Sequence, residues 1–174
     1  CEVDVLDKYE LTIKIDKLDK LVKNRDYVNA AKVADQLEWK KMKQWSVMSN
    51  AIDAFVATEN YEKARNVCVY AYNRKLGGRR LLATLMEMYV KLEEFDDAQE
   101  IYQEYVELAP RDVTGFILLY KLRRAQGAPV EELINILQNY KEKELDEEYE
   151  YELALLYSEA GLTDKCVREC DDLV

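Results

Sequence analysis

Apolar residues recur along most of the chain with the period of an α-helix, and short polar segments separate the apolar stretches. In two clear stretches a leucine stands four residues before a tyrosine, Leu85 before Tyr89 and Leu153 before Tyr157. Residues four apart lie on one face of a helix, one turn from each other, so each stretch predicts a helix with one buried face. Pro110 stands where one such helix is expected to end. The pattern predicts an all-α protein with no strands.

A short motif returns about every 34 residues, and each copy contains a small or apolar anchor residue. The anchors are Ala30, Ala64, Ala98, Leu133 and Cys166, spaced 34, 34, 35 and 33 residues apart. Each anchor opens the second helix of a pair, where a small side chain lets two helix backbones approach closely. We therefore expect every anchor to be buried. Residues 1–174 are predicted to form one domain of five antiparallel helix pairs, covering residues 11–44, 45–78, 79–112, 113–146 and 147–174.

This repeat resembles the tetratricopeptide repeat, whose pattern is W-x2-L-G-x2-Y, then A-x3-F, then P. The third copy matches that pattern best, through Leu82, Leu85, Tyr89, Ala98, Tyr102 and Pro110. The first copy departs from it, because Lys14 and Lys17 stand where apolar residues are usual. The resemblance implies a right-handed superhelical solenoid of about five antiparallel helix pairs.

The resemblance also implies a function, a noncatalytic protein-interaction scaffold that holds a peptide or partner segment in a concave groove. In this family the first helix of each pair lines the groove. Carrying that face over residue by residue selects Ser49, Asp53, Arg80, Ala83, Glu87, Lys91, Ile117, Lys121, Arg124, Tyr151 and Leu155.

A basic spot is expected inside this groove, formed by Lys91, Lys121 and Arg124. We expect it to meet a carboxylate, either in an acidic segment of a partner or at a peptide C-terminus. The family's clamp for chaperone tails is not expected, because Ile15 and Asp19 occupy the places of its Lys and Asn.

Composition and charge exclude several kinds of chemistry. The chain contains no histidine, which excludes His-dependent triads, acid–base pairs and mixed Cys/His zinc sites. A formal net charge of -10 disfavours nucleic acid and anionic lipid as partners. No apolar run approaches the roughly 20 residues that a membrane span requires. We therefore expect no catalysis, no cofactor and no metal, with protein or peptide partners in the cytoplasm.

Two alternatives stay open at this stage. The chain could be a peptide-sensing regulatory domain that controls an output domain outside these residues. Because it begins with Cys1, we expect a piece of a longer or processed protein, and a mature lipoprotein start is the minor alternative. The last helix, expected over residues 163–174, carries apolar residues suited to two faces. We therefore expect a further helix after Val174 in the natural protein, and end-to-end self-association when that helix is missing.

Overall fold

The computed structural model describes residues 2–141, 151, 152, 154–156 and 158. Between residues 2 and 141 it contains no strand, one 3-10 turn at Trp39–Lys41 and eight α-helices. The helices are α1 (Glu2–Lys23), α2 (Tyr27–Ala34), α3 (Trp45–Ala57), α4 (Tyr61–Asn73), α5 (Gly78–Lys91), α6 (Phe95–Leu108), α7 (Thr114–Ala125) and α8 (Val130–Lys141). The described residues from 151 to 158 are also helical.

Three of the helix pairs that the repeat predicts are present within the two units of the described chain. Successive helices α1 and α2, α3 and α4, and α7 and α8 pack against each other. Ala30, Ala64 and Ala98 are 0% exposed and Leu133 is 4% exposed, so the burial of these four anchors is confirmed. The fifth anchor, Cys166, and the final helix expected over residues 163–174 lie outside the described residues.

A left-handed residue ends the first helix of each of the four described pairs. These residues are Arg25, Glu59, Glu93 and Gly127, with φ of 58°, 59°, 58° and 77°. The hydrogen bonds at the first turn form a Schellman motif: the N–H of Arg25 donates to the Val22 carbonyl, and that of Asp26 to the Leu21 carbonyl. At the first turn this geometry reverses the chain within three residues and brings α2 back along α1.

The chain divides into two compact units, Cys1–Leu92 and Glu93–Val174. The core of the first unit is built from α1 to α5 and includes Leu18, Met48 and Phe55, each at most 1% exposed. The core of the second unit joins α7, α8 and the helical residues after 150. Its buried members are Ile117, Tyr120, Leu133, Ile136, Leu137 and Leu156.

The first pair differs from the others in the length of its second helix. Helix α2 has 8 residues, whereas α4 has 13 and α6 has 14. After Ala34 the chain leaves the helix, and the indole N–H of Trp39 donates to the Ala34 carbonyl at 3.0 Å. The same carbonyl also accepts a hydrogen bond from the backbone N–H of Leu37 at 3.2 Å, so it is satisfied twice at the helix end. The connection from α2 to α3 therefore lies where another turn of α2 would have continued.

Gly77 links the second pair to the third, and no other residue suits its position. Its φ is 78°, and a Cβ atom added there would lie 2.6 Å from the indole ring of Trp45. Both the left-handed backbone and the contact with Trp45 therefore require glycine. The start of α5 is held against the start of α3 by this close approach.

Candidate partner-binding surface

In the first unit, the predicted surface residues lie on α3 and α5, outside the core. Helix α3 buries Met48, Ile52 and Phe55, and it leaves Ser49 half-buried and Asp53 exposed. The guanidinium of Arg80 on α5 lies close enough to the Asp53 carboxyl group to act on its charge. The structure therefore brings these two predicted residues from successive pairs together.

The pKa of Asp53 shows which effect dominates at this point. Packed atoms around the carboxyl group remove water and raise its pKa, while the charge of Arg80 lowers it by a smaller amount. The result is a pKa above the ordinary value for aspartate. A carboxylate at this position is therefore less well solvated than one on an open surface.

A neighbouring polar cluster on α1 and α3 contains residues that the sequence analysis did not select. The Asp19 carboxylate accepts a hydrogen bond from the side-chain amide of Asn50 at 3.3 Å and lies 2.8 Å from the Lys23 ammonium. The bond from Lys23 is the main cause that lowers the pKa of Asp19. Asn50 follows a selected residue directly, but the repeat pattern alone contains no signal that distinguishes it.

Helix α5 carries four predicted residues along one stripe. Ala83 and Glu87 are half-buried, whereas Arg80 and Lys91 are exposed at the two ends of the stripe. The Lys91 ammonium lies 5.8 Å from the centre of the Tyr61 ring on α4, a cation–π contact. Lys91 therefore interacts with the second helix of the preceding pair.

In the second unit, the predicted residues of α7 separate into one core residue and two surface residues. Ile117 is 8% exposed and packs in the core with Leu133 and Leu137, so its side chain offers little area to a partner. Lys121 and Arg124 are half-buried and stand three residues apart on one face. They form the part of the predicted basic spot that belongs to this unit.

Arg124 takes part in a hydrogen-bonded chain that the sequence analysis did not anticipate. Its guanidinium donates to the Tyr120 hydroxyl group at 2.6 Å, and that hydroxyl donates to the Glu152 carboxylate at 2.8 Å. Burial, together with Glu152, raises the pKa of Tyr120 far above its ordinary value, so the phenol keeps its proton. Glu152 thus supplies negative charge beside the predicted basic spot.

The other two predicted residues, Tyr151 and Leu155, belong to the helical residues after 150. Tyr151 is 66% exposed and Leu155 is half-buried. Glu152 stands between them in sequence and points its carboxylate to Tyr120. This segment therefore presents an aromatic ring next to the chain formed by Arg124, Tyr120 and Glu152.

No cluster of three or more potential metal ligands occurs among the residues that the structure describes. In the same part of the chain, no helix has the length and apolar character that crossing a bilayer would require. Cys68 is buried, and the loss of water raises the pKa of its thiol to about 12. This thiol is therefore protonated and unreactive at neutral pH.

Comparison with known proteins identifies the fold. No protein-family model matches the chain, and no curated protein matches it. Among solved structures, a tetratricopeptide repeat protein from Parabacteroides merdae has a TM-score of 0.78 and 14% identity, over 93% of this chain and 63% of that chain. MamA from Desulfovibrio magneticus RS-1 has a TM-score of 0.70 and 11% identity, over 92% of this chain and 91% of that chain.

A second MamA structure, AMB-1, agrees with these two. Its TM-score is 0.64 at 16% identity, over 91% of this chain and 94% of that chain. At such low identity the similarity establishes the fold alone. The chain has an all-α helical repeat fold like that of tetratricopeptide repeat proteins, which confirms the fold class predicted from the sequence.

Proposed function

We propose that the protein is a noncatalytic interaction scaffold, which binds a peptide or partner segment on the exposed side of the first helices of its pairs. The observation that carries this proposal is the division of α5 into two sides. One side is buried in the core through Leu81, Leu85 and Met88, and the other presents Arg80 and Glu87. A row of charged and small side chains on a rigid helix suits recognition of an extended segment.

The second unit supports a preference for acidic partners. Lys121 and Arg124 present two cationic groups on one face of α7, and the exposed ring of Tyr151 belongs to the next helical segment. A carboxylate of the partner would pair with the two cations, while an apolar or aromatic neighbour would contact Tyr151. Because Glu152 already lies in this region, we propose that it competes with a weakly bound carboxylate and thereby limits the affinity.

Binding of the intact chain to an array of acidic and neutral peptides tests this proposal. We expect selective capture of acidic peptides and a roughly tenfold loss of affinity in Lys121→Glu, because the substitution replaces an attraction by a repulsion. Arg111→Glu is the matched control, since Arg111 is an exposed residue of the same unit outside the surface. An array without preference for acidic peptides, or equal binding by Lys121→Glu and the unchanged protein, would refute the proposal.

A cytoplasmic location and end-to-end self-association stay predictions from the sequence. Both can be tested on the full-length natural protein.

A further inference from the structure

A concave site lies in the first unit, between the connection from α2 to α3 and helix α4. Its volume is about 410 Å³, within the range of pockets that hold small ligands or single side chains. The floor consists of Phe55 and Val67, each 1% exposed, and aromatic residues Trp39 and Tyr70 line it as well. None of these residues belongs to the surface proposed above for peptide binding.

The connection from α2 to α3 lines one side of the pocket. The chain leaves α2 after Ala34, and the bond from the Trp39 indole to the Ala34 carbonyl holds the ring beside the helix end. From the other side, the Arg74 guanidinium donates to the carbonyl of Lys40 and, at 3.1 Å, to that of Tyr70. Hydrogen bonds therefore hold the connection from both sides, which reduces the ordering cost when a ligand enters.

Charge around the pocket is positive, although the whole chain carries -10. Two of the lysines that line it are paired with carboxylates, Lys63 with Asp35 at 2.7 Å and Lys41 with Glu38 at 3.3 Å. Lys40 also lines the pocket and has no ion pair within the described part of the chain. The two lining carboxylates are thus each paired with a lysine, and the charge of Lys40 remains.

Arg74 lies beside the pocket without lining it, and no carboxylate of the described residues pairs with its charge. It lies 5.9 Å from the centre of the Tyr70 ring, and both groups to which it donates are backbone carbonyls. Asn66 provides a neutral donor: its side-chain oxygen accepts a hydrogen bond from Arg65 at 2.9 Å, which leaves its amide N–H groups for a ligand. The pocket therefore combines an apolar floor with donors and cations around it.

We infer that this pocket binds an aromatic side chain of a partner peptide that carries a carboxylate within one or two residues of the ring. The ring would lie against Trp39 and Tyr70, which are half-buried, while Phe55 and Val67 are buried beneath them. The carboxylate would pair with Lys40, and the positive charge of the neighbouring Arg74 would attract it as well. A nucleotide fits less well, because its phosphate groups carry more charge than a carboxylate, and Lys40 is the one lining cation without an ion pair in the described part of the chain.

Fluorescence anisotropy of a labelled peptide tests this inference on the intact chain. The probe is a short peptide with one phenylalanine flanked by glutamates. Two comparison peptides replace the phenylalanine by alanine or the glutamates by glutamine, and ATP serves as the nucleotide competitor. We expect binding of the probe, at least about tenfold weaker binding of each comparison peptide, and no displacement by ATP.

Substitutions locate the bound peptide on the protein. Lys40→Glu and Tyr70→Ala are each expected to weaken binding about fivefold to tenfold. Lys32→Glu is the control with the same change of charge, because Lys32 is exposed on α2 and does not line the pocket. Thermal melts of all three variants show whether each is folded, and Lys40→Glu gives a second result if Tyr70→Ala is not.

Trp39 provides an independent readout of occupancy, since the chain has two tryptophans and Trp45→Phe leaves Trp39 as the only one. The bound peptide should protect its fluorescence from acrylamide. Probe binding that is lost in Lys121→Glu and kept in Lys40→Glu would overturn the inference, because the peptide would then bind the surface proposed earlier. Equal binding of the alanine peptide, or displacement of the probe by ATP, would overturn it as well. Loss of binding in Lys40→Glu alone would support the pocket even if the earlier proposal failed.

Discussion

The first three helix pairs differ from the fourth at two equivalent positions, the buried anchor and the turn between the two helices. At the anchor, the first three use Ala30, Ala64 and Ala98, and the fourth uses Leu133, yet all four are buried. At the turn between the helices of a pair, the first three use Arg25, Glu59 and Glu93, and the fourth uses Gly127, yet all four have a positive φ.

The comparison shows that the fold requires a buried side chain at the anchor and a positive φ at the turn. Several residue types meet each requirement, and they differ in what they contribute to the free energy of unfolding. A left-handed backbone is free for glycine and costs other residues roughly 1–2 kcal/mol. A buried anchor can be small with close helices or larger with more space around it, as long as the space is filled. We therefore expect each pair to be more stable with its own anchor residue than with the anchor residue of another pair.

The largest effect is expected at the fourth anchor. Leu133→Ala removes a side chain that is 4% exposed, and a cavity there costs about 2–5 kcal/mol of unfolding free energy. Leu108→Ala is the matched control, because Leu108 is 60% exposed in the same unit. Urea denaturation followed by circular dichroism measures both. If Leu133→Ala were as stable as Leu108→Ala, alanine would suit all four anchors and the comparison would fail.

A smaller loss of stability is expected when leucine, the anchor of the fourth pair, replaces the alanine anchor of the second pair. Ala64 is 0% exposed, so Ala64→Leu overpacks the contact between helices and costs about 1–3 kcal/mol. Ala57→Leu, at an exposed position of α3, serves as the control and should change stability little. A melting temperature for Ala64→Leu equal to that of the control would mean that the pairs have room for a larger anchor.

Exchanging glutamate and glycine between two of the turns should change the unfolding free energy in opposite directions. Glu59→Gly should raise the unfolding free energy by up to about 1 kcal/mol, since it removes backbone strain, and Gly127→Glu should lower it by about 1–2 kcal/mol. No atom lies within 4 Å of a Cβ added at Gly127, so strain rather than a clash causes that loss. Thermal melts decide the matter: the same sign for both variants would contradict this explanation.

The smallest effects concern two carboxylates that each have an arginine near them. Asp53 is exposed as a residue, but packed atoms remove part of the water around its carboxyl group, and this loss outweighs the charge of Arg80 and raises the pKa. Arg123 instead lowers the pKa of Glu132 through hydrogen bonds at 2.8 Å and 3.1 Å. Ionised Asp53 therefore costs stability at neutral pH, and ionised Glu132 contributes stability. The two groups differ because the pair formed by Arg123 and Glu132 makes two good hydrogen bonds at the surface.

The pH dependence of two variants follows from these directions. Asp53→Asn should raise the melting temperature near pH 7, and the gain should vanish as the pH falls through the raised pKa of Asp53. Glu132→Gln should lower it near pH 7, and the loss should vanish as the pH falls through the lowered pKa of Glu132. Thermal melts of each variant and of the unchanged protein, from pH 7 down through the pKa values of the two carboxyl groups, measure both differences in melting temperature. If Asp53→Asn were less stable than the unchanged protein at pH 7, the attraction of Arg80 would outweigh the loss of water around the Asp53 carboxyl group.

Much of the fold could be predicted from the sequence, but only part of the candidate surface could. The repeat correctly located the four anchors that the structure describes, because burial at such positions follows from a period along a single helix. It also led to the selection of Ile117, whose side chain the structure places in the core of the second unit. The repeat pattern identifies a helix face only approximately, and a residue at the border of that face can lie on either side.

The sequence by itself determined the helices, their pairing and the burial of the anchors, since these depend on the spacing of residues within about one repeat. The tertiary structure alone decided which polar groups meet. The bond from Tyr120 to Glu152 joins residues 32 apart, and the contact of Arg74 with the Lys40 carbonyl joins residues 34 apart. Such contacts depend on how two packed helices align side chains from different repeats, and no spacing along the chain encodes that alignment.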